Sequence, residues 1–268
     1  MTAIVTVIFA LLGLEIGSFL NLCIDRLPQG NSIVRPRSHC DNCRQNLGAA
    51  DLVPLFSYIW LRGRCRYCGA RIRLRLPIVE LATGAIFALL AWYYFHLDKF
   101  SLEFAFAVLC AGLFVVIFVI DLEQGLVLNS VVLFGVALAF VFSFFRTGVE
   151  EFWPKTGPGI TISALMGGAI GFVIMLLPYL ISRGGMGAGD VKLAGLIGVV
   201  VGFPQVFVAL LVGIIIGGLV AVFLLVSRLR KRKEAIPFGP FLAAGAVVAL
   251  VWGEQIIHWY RTTLTGLG

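Results

Sequence analysis

Three features of the chain predict an all-α polytopic membrane protein of about eight transmembrane helices, with a small cytoplasmic zinc-binding loop domain. The residues are 60% hydrophobic and only 13% charged, with a mean hydropathy of +0.99. A soluble domain of 268 residues cannot hide that much apolar surface. Apolar stretches of about 17 to 25 residues, the length that crosses a bilayer core, recur along the sequence. Between the first two lie two pairs of cysteines in a stretch with few apolar positions.

The apolar stretches fall near 3–22, 77–97, 101–120, 126–145, 159–182, 191–204, 205–227 and 237–260. The first has no basic lead-in and no small-residue cleavage site, and it carries Glu15, so it reads as a retained helix rather than a cleaved signal. This divides the chain into a first transmembrane helix (1–22), a tetracysteine domain (23–76) and a membrane domain with spans two to eight (77–268). Eight spans put both termini on one side. Lysine and arginine set the orientation. Ten arginines, from Arg26 to Arg75, lie between the first two spans; a basic cluster at 228–233 follows the seventh, and Arg183 and Lys192 flank a glycine-rich string. Together these are seventeen, against Lys99, Arg146, Lys155 and Arg261 on the other face. The basic face is cytoplasmic and both termini are outside. The net charge of +7 follows from this bias without any nucleic acid.

In that topology span three runs inward and ends at Asp121, and span five runs inward to the string Gly184-Gly185-Met186-Gly187-Ala188-Gly189-Asp190. Both aspartates reach the cytoplasmic edge. Carboxylates at such depth are costly and usually functional. Each also has an ordinary reading, Asp121 as the residue where a helix leaves the bilayer and Asp190 as a helix N-cap. Their occurrence on one face favours a pair. Brought together, two carboxylates share a proton: one acts as base toward water, and the other as acid toward the carbonyl oxygen of a peptide bond. Gly187 and Gly189 would let an extended substrate backbone approach. The glycine string lacks the Lys-Ser/Thr of a phosphate-binding loop. Asp190 to Pro204 is also short for a span, about 21 Å of helix against a ~30 Å core. Either the span is offset, or the glycine string dips below the surface under protein or a watery cavity.

Cys40, Cys43, Cys65 and Cys68 form C-x2-C, 21 intervening residues, C-x2-C. That is the pattern of two knuckles closing a four-thiolate structural zinc site, with Gly69 easing the second turn. A redox pair is the lesser reading, and a disulfide suits a reducing compartment poorly. About fifty residues with so few apolar positions need a metal to fold. The arginines invite a nucleic-acid reading, but attraction to anionic lipid accounts for them more simply. Among the remaining polar residues, Glu80 sits in the first turn of its helix, favourable against the dipole, and is also a candidate for binding substrate or cofactor. His39, His96 and His258 are scattered, and Cys23 and Cys110 read as packing residues.

These motifs resemble the type IV prepilin peptidases, integral-membrane aspartic peptidases with a G-x-G-D signature. The likeness is carried by Gly17-Ser18-Phe19-Leu20-Asn21 with Ile24-Asp25-Arg26-Leu27-Pro28, by Ser38-His39-Cys40, and by Leu61 to Ala70 around the second cysteine pair. Further along it includes Pro77-Ile78-Val79-Glu80, Asp121-Leu122-Glu123, Gly187 to Leu193 and Phe238-Gly239-Pro240-Phe241-Leu242. Two positions depart: Leu128 and Asp41 stand where the family usually has proline, and the first puts the loop after Asp121 in question. The resemblance implies residence in the bacterial inner membrane and cleavage of short basic leaders from prepilins or pseudopilins on the cytoplasmic side. It further implies methylation of the new N-terminus with S-adenosyl-L-methionine as donor. Asp121 and Asp190 would be catalytic.

A presenilin-type peptidase also uses a G-x-G-D aspartate, but pairs it with Tyr-Asp, whereas Ile120 precedes Asp121 here. A transporter or channel binding protons or cations at the two aspartates is the non-enzyme reading. Retained biological activity in the asparagine variants would favour it.

Overall fold

The computed structural model describes residues 2–96, 102–145, 157–181, 186–227 and 237–265. The basic cluster at 228–233, Arg183, Gly184, Gly185, Lys99, Arg146 and Lys155 lie outside the described residues. The helices are α1 (Thr2–Arg26), α2 (Phe56–Trp60), α3 (Arg75–His96), α4 (Leu102–Gln124), α5 (Asn129–Phe145), α6 (Gly157–Ile181), α7 (Ala188–Val201), α8 (Gln205–Val226) and α9 (Gly239–Tyr260). Every expected span is a helix. Six of them are long and apolar enough to cross a membrane; α5 is a shorter apolar helix, and α7 has 14 residues. The first helix runs past the end of its apolar stretch to Arg26. The chain divides into two compact units, Met1–Phe104 and Ala105–Gly268.

In the first unit α1 and α3 pack antiparallel along the small-residue series Gly13-x3-Gly17. A Cβ on Gly13 would lie 2.8 Å from the Gly84 Cα, and one on Gly17 would lie 2.7 Å from the Glu80 Cα. Lipid tails are as apolar as the helices, so close backbone approach rather than hydrophobic burial supplies most of the association. At the loop end of this pair the Asn21 amide donates to the Leu76 carbonyl at 3.0 Å, and Arg75 meets Asp25 at 2.7 Å.

The second unit uses the same device twice. Gly167 and Gly171 on α6 meet the backbone of Gly198 and Ala194 on α7, and Gly245 on α9 meets Ala209 and Gly213 on α8. Helix α7 is the core of this unit, with Leu193, Ala194, Leu196, Ile197 and Val200 fully enclosed. Its shortness follows from that position. The register that pairs Gly167 with Gly198 and Gly171 with Ala194 brings Asp190 opposite Met175. That is six residues before α6 ends at Ile181, or about 9 Å at 1.5 Å per residue. At the other end Ser163, six residues into α6, accepts the Phe203 N–H at 3.0 Å and donates to the Phe203 carbonyl at 2.9 Å. Both ends of α7 are therefore recessed beside α6.

The exposed non-helical backbone that such a recess creates would be costly in lipid. Ser163 removes that cost at the α7–α8 turn, where Gly202 is buried and takes a left-handed φ of 78°. Helix α7 is thus shorter than α6 at each end, and Asp190 lies beside Met175 rather than at the end of α6.

Gly198→Val should drive α6 and α7 apart and destabilise the protein by about 1–3 kcal/mol or more, the usual cost of overpacking. Gly218→Ala on α8, where a Cβ meets nothing within 4 Å, should stay within about 0.5 kcal/mol of wild type. Thermal unfolding of the two variants in detergent checks the pair.

Candidate active site and metal centre

Asp121 lies in the last turn of α4 and Asp190 at the third position of α7. Both are buried, at 4% and 8% exposure, and the two carboxylates are close enough to act on each other electrostatically. The structure brings together what the sequence placed on separate helices. Asp190 is not the N-cap that its ordinary reading supposed. The helix starts two residues earlier, Gly187 is the N-cap, and the Asp190 carboxylate lies against the Gly187 backbone. Gly187 thus positions Asp190. Gly189 acts at a different contact. A Cβ there would lie 2.9 Å from the Val127 Cβ, so its smallness lets the segment after Asp121 close over the start of α7.

That segment is held at a second point, where the Lys192 ammonium donates to the Asn129 side chain at 2.9 Å. Leu128 fits without distortion. It stands just before α5, and its carbonyl accepts the Val132 N–H at 3.1 Å, a helix-entry place that proline also occupies readily. The departure from the family pattern therefore leaves the first hydrogen bond of α5 in place.

In the sequence the string around Gly239 stands out only as a late motif, whereas in the structure Gly239 lies against Asp121. Gly239 opens α9 and its N–H points to the Asp121 carboxyl. A Cβ on it would lie 2.6 Å from Asp121 Oδ2, so only glycine lets the helix start this close. Asp121 Oδ2 itself is buried and has no donor in hydrogen-bonding geometry among the described residues. The N-termini of α7 and α9, whose partial positive charge favours anions, thus each approach one carboxylate.

Glu80 belongs to the first unit and has a defined partner there. Its Oε2 accepts the Leu55 N–H at 2.9 Å, with Ser18 also in contact. It fastens the cysteine loop to α3, where Leu55 takes a left-handed φ of 57°.

In that loop the Sγ atoms of Cys40, Cys43, Cys65 and Cys68 all lie within 4.8 Å of one another, and those of Cys40 and Cys68 are 3.8 Å apart. A tetrahedron with metal–sulfur bonds of about 2.3 Å has edges of about 3.8 Å, so the cluster fits a four-thiolate ion. The two knuckles repeat each other. Cys40 N–H bonds Gln45 O at 3.0 Å and Cys65 N–H bonds Ala70 O at 2.8 Å, and each turn passes through a left-handed residue, Arg44 at 59° and Gly69 at 70°. The Ala70 N–H and the Asn42 amide bring Cys68 down to about 6. The Cys43 and Asn42 N–H groups lower the Cys40 pKa, whereas Cys43, facing Cys68 and Cys40, is pushed up to about 11, so without an ion the four thiols do not all ionise together. Donors of this kind favour the thiolates that bind metal.

Asp51 joins the second knuckle to the linker, meeting Arg66 at 2.6 Å and accepting from Tyr67 and the Gly48 N–H, each at 3.1 Å. Asp41, in the family's proline position, meets Arg73 at 3.4 Å, so this departure gains an ion pair.

Two family models match: the bacterial peptidase A24 N-terminal domain over residues 11–94 and the type IV leader peptidase family over residues 107–222. A prepilin leader peptidase/N-methyltransferase of Bacillus subtilis is 34% identical, covering 94% of this chain and 96% of its own. The chain belongs to the type IV leader peptidase family. Relatives with the same name in Pseudomonas putida, 30% identical over 96% of this chain and 93% of theirs, and in Aeromonas hydrophila, 30% identical over 94% and 92%, agree. No solved structure matches.

Gly239→Ala should destabilise the protein by about 1–3 kcal/mol through the collision with Asp121. In an Asp121→Ala background that cost should fall by more than half. A double-mutant cycle of unfolding free energies measures this coupling directly.

Proposed function

We propose that this membrane enzyme cleaves the short basic leader from type IV prepilins or pseudopilins and methylates the new N-terminal residue, with Asp121 and Asp190 as the catalytic pair. The observation that carries the reading is the convergence of two buried aspartates from α4 and α7, in a chain of this family, at a point recessed beside α6. A leader peptide carrying Lys or Arg stays on the side that the charge bias makes cytoplasmic. Its apolar continuation is a helix in the bilayer, whose own hydrogen bonds shield its peptide bonds. The scissile bond therefore has to meet the aspartates at the junction where the helix is unwound, which suits a recess.

Asp121 Oδ2, free of other donors, is the acceptor for a proton of the attacking water. The water oxygen adds to the scissile carbonyl carbon while Asp190 supplies a proton to the carbonyl oxygen. Collapse of that species breaks the C–N bond; the proton taken from water passes from Asp121 to the leaving amine, and one hydroxyl proton of the tetrahedral species returns to Asp190. Gly187 leaves room for the substrate backbone beside Asp190, whereas the space at Gly189 is taken by Val127.

S-adenosyl-L-methionine is the methyl donor for the new amine. The described residues contain no strand, so no strand–glycine turn–helix cradle of the dinucleotide-binding kind is present among them. Zinc held by Cys40, Cys43, Cys65 and Cys68 is structural: with all four positions filled by sulfur there is no open site for catalysis. We place the protein in the bacterial inner membrane with both termini outside and the zinc loop cytoplasmic, its arginines attracted to anionic lipid and not to nucleic acid. The 23–76 loop acts as a zinc domain, and 77–268 carries the peptidase.

Asp121→Asn and Asp190→Asn should each abolish leader cleavage while the protein remains folded and inserted. Loss of one proton-transfer partner costs about 10²–10⁴-fold or more. Cleavage of a prepilin by purified variants at matched expression is the measurement, and near-normal rates in either would remove the pair. Elemental analysis should find about one zinc per chain, released by joint replacement of Cys40 and Cys43 with serine. The loop should then become protease-sensitive, because bound metal supplies its folding energy.

A further inference from the structure

The loop between α1 and α3 contains a short helix, α2, that no part of the metal site uses. Its residues sort by face. Tyr58 turns inward, and its hydroxyl would lie 2.9 Å from a Cβ on Gly63. Phe56, Ile59 and Trp60, spaced as one face of a helix, turn outward and are 62%, 72% and 72% exposed. Phe56 and Trp60 stack with ring centroids 5.9 Å apart. Three large side chains on five residues make a contiguous exposed apolar patch, of a kind that usually marks a contact surface.

The height of this patch is fixed by the hydrogen bond from Leu55 N–H to Glu80 Oε2. Glu80 is the sixth residue of α3, and helical side chains lean toward the N-terminus of their helix. Leu55, immediately before α2, is thus held beside the first turns of a membrane-crossing helix. Asn21 bonds the Leu76 carbonyl at the same level. Helix α2 therefore cannot stand away in the cytoplasm with the rest of the loop. Its outward face lies at the height where the apolar surface of α3 begins, with exposed Leu74 and Ile78. Exposed Arg62 and Arg64 follow at its C-terminal end. Aromatic residues flanked by arginine at the end of a span suit the boundary between headgroups and acyl chains.

We propose that α2 is an interfacial anchor, inserting Phe56, Ile59 and Trp60 into the lipid surface that α1 and α3 cross, with Arg62 and Arg64 on anionic headgroups. The anchor lays the metal-binding loop against the bilayer. It does not depend on the reaction assigned to the aspartates.

The test uses full-length protein with Trp92, Trp153, Trp252 and Trp259 replaced by phenylalanine, leaving Trp60 as the one tryptophan. It is reconstituted in phosphatidylcholine–phosphatidylglycerol vesicles, with and without bromine on the acyl chains near the headgroup. The brominated chains should quench Trp60 emission at least twofold, and aqueous iodide should quench it weakly. Emission quenched by iodide and not by bromine would overturn the proposal and leave the patch free in solvent. Emission quenched by neither would overturn it too, in favour of a protein covering the patch. Should the four replacements impair folding, the difference in emission between wild type and Trp60→Phe, measured in the same vesicles, gives the same reading.

Discussion

The backbone contact between α6 and α7 at Gly167 and Gly198 is the constraint on which the second unit depends. In a bilayer, apolar side chains gain little by meeting one another, so helices associate where small residues let their backbones touch. Once α7 is clamped this way it is enclosed on nearly all sides and no longer has to span the bilayer against lipid. It can then be 14 residues long, with both ends inside the protein. That freedom creates the recess at Asp190. A full-length α7 would carry its first turn, and the carboxylate with it, to the membrane surface. The cost appears at the opposite end, where the buried turn after Val201 needs Ser163 to bond both polar groups of Phe203.

The same logic of enclosed helix ends explains how two carboxylates can share a low-dielectric site. Each is approached by the N-terminus of a helix, α7 at Asp190 and α9 at Asp121, and the approach to Asp121 requires glycine. The Gly187 backbone lies beside the Asp190 carboxylate, while Gly239 has no side chain to collide with Asp121 Oδ2. Partial positive charge at helix N-termini offsets part of the cost of placing negative charge there. The glycines around the aspartates therefore serve helix placement as much as access for substrate.

The first unit solves a different problem. Its loop has few apolar residues and two repeated knuckles, so sulfur and metal take the place of a core. What attaches that folded piece to the helices is polar: Glu80 of α3 on the Leu55 N–H, and Arg73 of the loop reaching Asp25 at the end of α1. Glu80 read from sequence as a dipole-favoured acid or a binding residue. The dipole reading fails, because α3 starts at Arg75 and has no acidic residue in its first turn, and the partner in the loop was invisible because no local pattern links positions 55 and 80.

The spans, the cysteine cluster and the two aspartates were legible because each is written in a local signal: an apolar run, a C-x2-C spacing, a charge where charge is costly. The departures at Asp41 and Leu128 were legible as departures, but not as harmless ones. An ion pair between Asp41 and Arg73 and a Leu128 carbonyl that accepts the Val132 N–H are properties of the folded chain. Gly239 marks the limit more sharply. As a sequence feature it is one glycine among 31, ahead of a proline that signals the start of a helix. What singles it out is the carboxylate 118 residues earlier in the chain, so its role exists only once α4 and α9 have been brought together. Residues that act on a site through space, with nothing chemical of their own to show, are those that a reading of local pattern passes over.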